Sequence, residues 1–263
     1  MPEDLFEAIA RLRRERIPAA LATVVDTKGS TPGKLAQKMI VRADASIIGT
    51  IGGGCVEADV IRTALDVIDT GRVRKLAFTL AGEEAERTGL ACGGVLQVMI
   101  EPLNEPQLFV VGCGHVGQKI GNLAKACGFR LVVLDDRPDF ASRERFPDAD
   151  EIHCQELSRL DDVLTIGPNS YLISVTRGHN HDYAVLKWAL TTSVRFIGVI
   201  GSRAKRIQFF RDLEDEGISG QALDRVHCPV GLDIGAKTPD EIAISVVAQL
   251  VARHRLGADS RAT

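Results

Sequence analysis

The sequence predicts a two-domain α/β protein whose second domain contains a parallel sheet covered by helices. The 263 residues suffice for two ordinary domains, and 45% hydrophobic with 25% charged residues is the composition of a globular protein. Prolines and polar residues cluster at EPLNEPQ, so we place the domains at residues 1–104 and 105–263. Beyond this boundary, apolar runs alternate with helical patterns, as is typical of parallel sheets.

The elements of the first half predict a small α/β domain. Leu5, Phe6, Ile9 and Leu12 recur at helical spacing, and KGSTPGK has the turn chemistry that separates two strands. A second helix begins at Cys55 and ends before Gly71. The expected elements are a helix over 3–15, strands over 20–26, 37–42 and 47–51, the helix from residue 55, and strands over 73–80 and 95–100.

The second half predicts a strand and helix alternation. Strands are expected over 108–111, 131–134, 171–175 and 196–200, and helices over 115–127, 183–190, 203–216 and 239–255. Such an order implies parallel strands with helices on both faces.

Charge and cysteine usage exclude several function classes. With 32 Lys+Arg and 35 Asp+Glu the net charge is -3, which argues against a nucleic-acid partner. The start of the chain lacks the pattern of a signal peptide and no run of about 18 apolar residues occurs, so we expect a cytoplasmic protein without a membrane span. Six scattered cysteines without C-x-x-C pairs indicate reduced thiols.

GCGHVG is a complete G-x-G-x-x-G that follows a strand and opens a helix. Gly112, Gly114 and Gly117 would allow the tight turn and the close approach of a pyrophosphate, with His115 in the first helical turn. Asp135 and Asp136 end the next strand, where a carboxylate could accept hydrogen bonds from a ribose. The predicted fold is therefore a small N-terminal α/β domain followed by a Rossmann-like parallel-sheet domain. NAD(P) is a candidate ligand, although the same glycines could serve helix and sheet packing alone.

Two later loops bring polar side chains to the same edge of the sheet. TRGHNHD supplies Arg177, His179 and His181, and GSRAK supplies Ser202, Arg203 and Lys205. We interpret them as an anion or cofactor pocket at the carboxyl ends of the strands. A metal site formed by His179, His181 and Asp182 is an alternative, although no second cluster completes it. Without a ligand, the alternatives are that TRGHNHD caps the helix that follows it and that GSRAK forms a solvated first turn.

GTIGGGCVE places three glycines before a thiol at a predicted helix start. Gly52, Gly53 and Gly54 would let a ligand approach bare backbone, and a helix N-terminus stabilises a thiolate at Cys55. Glu57 lies in the first turn. A second thiol, Cys92, precedes Gly93 in ACGG, and the pair suggests a ligand site, with small buried cysteines as the alternative.

These segments, in this order, resemble the xanthine dehydrogenase accessory protein family, XdhC/CoxI, across nearly the whole chain. The matching segments are GSTPGKLAQKMIV, GTIGGGCVEADV, ACGG, GCGHVG, LDDRPDFASRERFPDAD, TRGHNHD, IGSRAK and PVGLDIGAKTPDEIA. The resemblance implies an accessory chaperone without catalytic turnover. It would bind the molybdenum cofactor, hold it for sulfuration by a cysteine desulfurase, and insert it into a xanthine dehydrogenase-type molybdenum hydroxylase. We also expect a homodimer.

The resemblance implies that the glycine and polar residues named above bind the molybdenum cofactor, with Cys55 as a candidate molybdenum contact. Soft thiolates suit a thiophilic metal, and backbone amides suit a phosphate or a pterin carbonyl. Gly33 departs from the arginine usual in the family's GSTPR-type motif, which leaves Lys28 or Lys34 as a substitute. Two alternatives are an NAD(P)-dependent oxidoreductase with His179 or His181 as acid or base, and an NAD-sensing regulatory module.

Overall fold

The structure is a computed structural model that describes residues 4–80, 93–164, 166–167 and 169–256. The chain divides into two compact units, Met1–Asn104 and Glu105–Thr263. In the described part of the chain, no helix combines the length and the apolar character needed to cross a membrane.

The first unit is built on a five-stranded antiparallel sheet. Its strands run in the order β3-β2-β1-β5-β4, and each neighbouring pair is antiparallel. Its elements are α1 (Leu5–Glu15), β1 (Ala19–Lys28), β2 (Lys38–Arg42), β3 (Ile47–Gly49), α2 (Gly54–Thr70), β4 (Arg74–Thr79) and β5 (Val95–Pro102). The helices and strands fall where the hydrophobic spacing predicts them.

Two apolar clusters hold this unit together. Alternation along β1 points Ala20, Ala22 and Val24 into the core that α2 covers with residues such as Val56 and Val60. Helix α1 packs through a smaller separate cluster that includes its buried Ala8 and Leu12. The helix α2 ends at Gly71, whose left-handed backbone (φ 63°) is the conformation expected of a glycine stop.

The second unit is a doubly wound sheet of six parallel strands in the order β11-β10-β9-β6-β7-β8. Its elements are β6 (Gln107–Val111), α3 (His115–Ala126), β7 (Arg130–Asp135), β8 (Glu151–Cys154), β9 (Ser170–Ser174), α4 (His179–Thr191), β10 (Phe196–Val199), α5 (Arg203–Asp215), α6 (Gly220–Leu223), β11 (Val226–His227) and α7 (Pro239–Leu256). The predicted Rossmann-like parallel sheet is confirmed.

Helices cover both faces of this sheet, as its near-continuous apolar strands require. Leu108 and Val110 of β6 face one core, with α3 and α7, while Phe109 and Val111 face the other, with α4 and α5. Strand order reverses at β6, which has β7 on one side and β9 on the other. The carboxyl ends of β6 and β9 therefore form the topological switch point where open α/β sheets bind ligands.

Candidate functional site

Three glycine-rich loops of the first unit pack backbone against backbone. A Cβ added at Gly33 would lie 2.2 Å from the carbonyl oxygen of Ile51, and one at Gly94 would lie 2.3 Å from that of Ser30. A Cβ at Gly52 would lie 2.6 Å from the backbone nitrogen of Gly33. The loop after β1 thus contacts both the loop before α2 and the turn before β5, and side chains at these positions would force the loops apart.

The three consecutive glycines of GTIGGGCVE are required by the backbone conformation. Gly52, Gly53 and Gly54 have φ angles of 127°, 84° and 68°, a region that other residues rarely adopt. A Cβ at Gly53 would meet no atom within 4 Å, so the loop is open at this point. The run of glycines therefore creates an accessible backbone surface immediately before α2.

Glu57 holds this loop in place. Its Oε1 accepts hydrogen bonds from the backbone nitrogens of Ile51 (3.1 Å) and Gly53 (3.0 Å) and from the hydroxyl of Thr50 (2.5 Å). The carboxylate belongs to the first turn of α2 and reaches back to the residue that precedes the helix, as in a capping box. Glu57, predicted as a cofactor-binding residue, thus orders the glycine loop.

Glu57 satisfies the Gly53 amide, but among the described residues no side chain accepts a hydrogen bond from the Gly54, Cys55 or Val56 amides in the first turn of α2. The first backbone N–H groups of a helix have no partner within it, so those of Gly54, Cys55 and Val56 are available to an acceptor. The Cys55 thiol is exposed at the same place.

Gly93 also has a left-handed backbone (φ 74°) and open space around its Cβ position, whereas Cys92 lies outside the described residues. Lys28 and Lys34, the predicted substitutes for the family arginine, are exposed.

In the second unit, neighbouring backbone explains two of the three fingerprint glycines. A Cβ at Gly112 would lie 2.5 Å from the carbonyl oxygen of Val175, and one at Gly117 would lie 1.9 Å from that of Gly112. At Gly114 a Cβ would meet nothing within 4 Å, and φ is -63°. His115, the next residue, is exposed at the start of α3.

Asp135 is fully engaged within the protein. Its Oδ2 accepts from the backbone nitrogen of Cys113 (2.7 Å) and from Nη2 of Arg137 (2.9 Å), and its Oδ1 accepts from the backbone nitrogen (3.1 Å) and Nε (2.8 Å) of Arg137. Burial alone would raise the pKa of Asp135, but these hydrogen bonds from Arg137 and Cys113 hold it below its usual range. The residue predicted to meet a ribose thus ties the glycine loop to the end of β7.

The segment after Asp135 also contacts the glycine loop, through Arg145 and the carbonyl oxygen of Cys113. The guanidinium of Arg137 lies 3.7 Å from the ring centroid of Phe140, and that of Arg145 lies 5.0 Å from it. Arg145 also donates to the carbonyl oxygen of Cys113 (3.3 Å). Burial, with the nearby Asp135 charge, raises the pKa of the Cys113 thiol to about 12, so this thiol stays protonated near neutral pH.

A narrow crevice opens at the switch point of the sheet. Arg177, from the loop after β9, forms an ion pair with Asp136, which follows β7 (2.5 Å). The crevice is lined by Gly112, Asp135, Asp136, Arg137, Leu157, Thr176, Arg177 and His181. The structure thus brings together five predicted residues: Gly112, Asp135, Asp136, Arg177 and His181. Sequence reasoning did not assign Arg137 or Thr176, although Arg137 stands only two positions after the acid that ends β7.

The polar residues after β10 have structural partners. Lys205 is buried and forms an ion pair with the buried Asp182 (2.6 Å), whose other oxygen accepts from the hydroxyls of Ser174 (2.6 Å) and Thr176 (2.7 Å). The sequence suggested that Lys205 faces a ligand, but its ammonium instead binds Asp182. Asp182 therefore does not join the histidines around a metal. Ser202 caps α5 by accepting from the Lys205 nitrogen.

His179 and Arg203 are exposed at the first residues of α4 and α5. In the part of the chain that the structure describes, no three His, Cys, Asp or Glu side chains are placed to hold a metal ion together. Of the residues expected in the anion pocket, Arg177 and His181 line the crevice.

Two family models match the chain. One, described as the XdhC Rossmann domain, matches residues 108–250, and the other, the XdhC and CoxI family, matches residues 12–79. The chain is 36% identical over 250 residues to the Uncharacterized protein YqeB of Escherichia coli, a match that covers 94% of this chain and 46% of YqeB. The chain thus spans less than half the length of that relative.

Two further relatives have names that refer to function. A protein of Bacillus subtilis, named as a probable xanthine dehydrogenase subunit, is 23% identical, with 91% of this chain and 94% of the relative covered. The Molybdenum cofactor insertion chaperone PaoD of Escherichia coli is 22% identical, with 88% and 82% covered. A solved structure described as a xanthine dehydrogenase from Bacillus halodurans shares the fold, with a TM-score of 0.52, 23% identity and 97% of both chains covered.

Proposed function

The chain belongs to the XdhC and CoxI family, and on that premise we propose that it is an accessory protein that binds the molybdenum cofactor and delivers it to a xanthine dehydrogenase-type molybdenum hydroxylase. The name of PaoD, a molybdenum cofactor insertion chaperone, supports this role. The observation that carries the proposal is the uncapped N-terminus of α2, where an exposed thiol adjoins bare, open backbone.

The residues present at this N-terminus fit the cargo, a pterin dithiolene with a phosphate tail. Cys55 offers a soft sulfur ligand of the kind that thiophilic metals prefer. The backbone amides of Gly54, Cys55 and Val56 offer donors, together with the positive end of the helix dipole, to a phosphate or a pterin carbonyl. Open space at Gly53 lets such a ligand approach the main chain.

Each residue of this site then has a distinct role. Cys55 contacts the cargo, and the amides of the first turn of α2 bind its polar groups. Glu57 is a positioning residue, because its three hydrogen bonds fix the loop on which the glycines stand. Sulfuration of the bound cargo by a cysteine desulfurase, and a homodimeric assembly, are finer parts of the proposal that the family resemblance suggests.

The test is cofactor retention by the purified full chain. We expect Cys55→Ala to lower the molybdenum content and the pterin fluorescence of the isolated protein. Cys127→Ala, which removes another exposed thiol, should leave both unchanged. Matching circular dichroism melts would establish that both variants fold. Equal retention by Cys55→Ala and wild type would show that the thiol is not a ligand and would remove the main support for this site.

A further inference from the structure

The crevice of the second unit has a side-chain bridge across it. Gly112 follows β6, which lies between β7 and β9 in the sheet. Asp136 follows β7 and Arg177 comes after β9, so their ion pair joins the loops on either side of the glycine loop. A ligand that reached the glycine loop from the carboxyl edge of the sheet would therefore meet this pair.

Gly114 is the fingerprint position without an internal explanation. Gly112 and Gly117 are required by their neighbours, but Gly114 has an ordinary φ of -63° and space for a side chain. No side chain caps α3 among the described residues, and its first turn contains no acidic residue. Gly114 is the N-cap of α3, a position that glycine occupies readily, and in nucleotide-binding sheets the middle glycine also allows the backbone to approach a pyrophosphate.

We propose that the crevice and the adjoining start of α3 together bind the pyrophosphate of a nucleotide, which contacts the main chain at Gly114, and that Asp136 competes with the nucleotide for Arg177. In the structure Arg177 is held by the Asp136 carboxylate; in the complex a phosphate oxygen takes its place. The inference concerns the second unit alone and does not rest on the proposed molybdenum cofactor site.

Two acidic residues at the crevice differ in how readily they can be displaced. The side chains of Arg177 and Asp136 are 50% and 24% exposed, and a pair that solvent reaches from one side contributes little to stability; Asp136 also keeps Arg137 as a neighbour, 3.8 Å away. A phosphate group, which can accept two parallel hydrogen bonds from a guanidinium, can therefore replace Asp136. Asp135 is buried and its four hydrogen bonds fill the lone pairs of a carboxylate, so it stays on Arg137 and Cys113. The exchange is thus expected at Asp136.

The test measures the affinity of the full chain for NADH, NADPH and ADP by fluorescence and calorimetry. We expect Asp136→Asn to tighten nucleotide binding about two- to fivefold, because Arg177 no longer has to leave an exposed ion pair. Arg177→Gln should weaken binding about tenfold, as expected for loss of a charged hydrogen-bond donor to phosphate. Asp139→Asn is the matched control, since it removes an exposed charge from the same loop, and should have no effect.

Gly114→Val should abolish binding, and Gly114→Ala, which the φ angle and the open space accommodate, should weaken it in a folded protein. The proposal is overturned if wild type binds none of these nucleotides at millimolar concentration. It is also overturned if Asp136→Asn weakens binding, which would make Asp136 a ligand, or if Asp139→Asn tightens binding equally. Cys55→Ala should bind nucleotide as tightly as wild type. The nucleotide assay therefore tests the second unit, and the cofactor-retention assay tests the first, so either proposal can fail without the other.

Discussion

Replacement of Lys205 by methionine should strongly destabilise the second unit. The ammonium donates to Asp182 (2.6 Å) and to the carbonyl oxygen of Ile200 (2.9 Å), and the two side chains of the pair are only 7% and 2% exposed. Methionine fills similar space but leaves the Asp182 carboxylate buried without its counter-charge. Removal of one partner of a buried pair costs about 3–5 kcal/mol. At about 2–4 °C per kcal/mol for a unit of this size, the melting point should fall by about 6–20 °C.

The chain offers both a probe and a control for this measurement. Its single tryptophan, Trp188, lies in α4 of the same unit, so tryptophan fluorescence during urea or thermal unfolding follows that unit. Lys119→Met breaks an exposed pair with Asp240 (2.9 Å; side chains 50% and 66% exposed) and should cost at most about 1 kcal/mol.

A second variant isolates the buried charge as the cause. Asp182→Asn combined with Lys205→Met removes both charges and keeps an acceptor for Ser174 and Thr176, so we expect it to recover most of the lost stability. If the free energy of unfolding of Lys205→Met is within about 1 kcal/mol of the wild-type value, the pair is not desolvated and the reasoning is wrong.

Three further outcomes follow from single positions. Glu57→Ala should lower the free energy of unfolding by about 1–3 kcal/mol, because it leaves the Ile51 and Gly53 amides without an acceptor. It should also lower cofactor retention; unchanged retention would show that Glu57 serves only the stability of the loop. Gly33→Arg and Gly33→Ala should lower the circular dichroism melting point similarly, because the clash with Ile51 arises at Cβ; a stable arginine variant would contradict the loop packing. Burial lowers the pKa of His227 from 6.5 to about 4. The contribution of the neutral ring to stability is therefore complete above pH 6.5 and is lost as the pH falls towards 4. In His227→Phe, the midpoint of urea unfolding should change less with pH over this range.

Hydrophobic spacing is sufficient to locate the main helices and strands, because most of them bury one face; β3 and β4, which have no fully buried residue, still alternate between more and less exposed positions. It fails for β8, a half-exposed edge strand of four residues with the sequence EIHC, and for β11, which has two residues. With a strand period of two residues, β8 contains two repeats of the pattern and β11 contains one, too few to distinguish a strand from a loop. Both are recognisable only from their pairing with β7 and β10.

The candidate sites are harder to predict because a polar residue at a strand end has two common uses. GSRAK is typical of a cationic loop, yet Lys205 turns inward to Asp182 while Arg203 stays exposed. The sequence contains both partners, but their separation of 23 positions conceals the contact. Likewise the position of Asp135 predicts a ribose contact, whereas Arg137, two residues later, satisfies it. Long-range pairing decides which polar groups remain available to a ligand.

The two glycine motifs differ in what they imply about ligands. In GTIGGGCVE, positive φ angles at Gly52, Gly53 and Gly54 account for all three glycines, so the case for a ligand there depends on Cys55 and on the uncapped amides beside it. In GCGHVG, packing accounts for the outer glycines and leaves Gly114 without a conformational or steric reason. The first motif must therefore be tested through its thiol, and the second through the glycine itself.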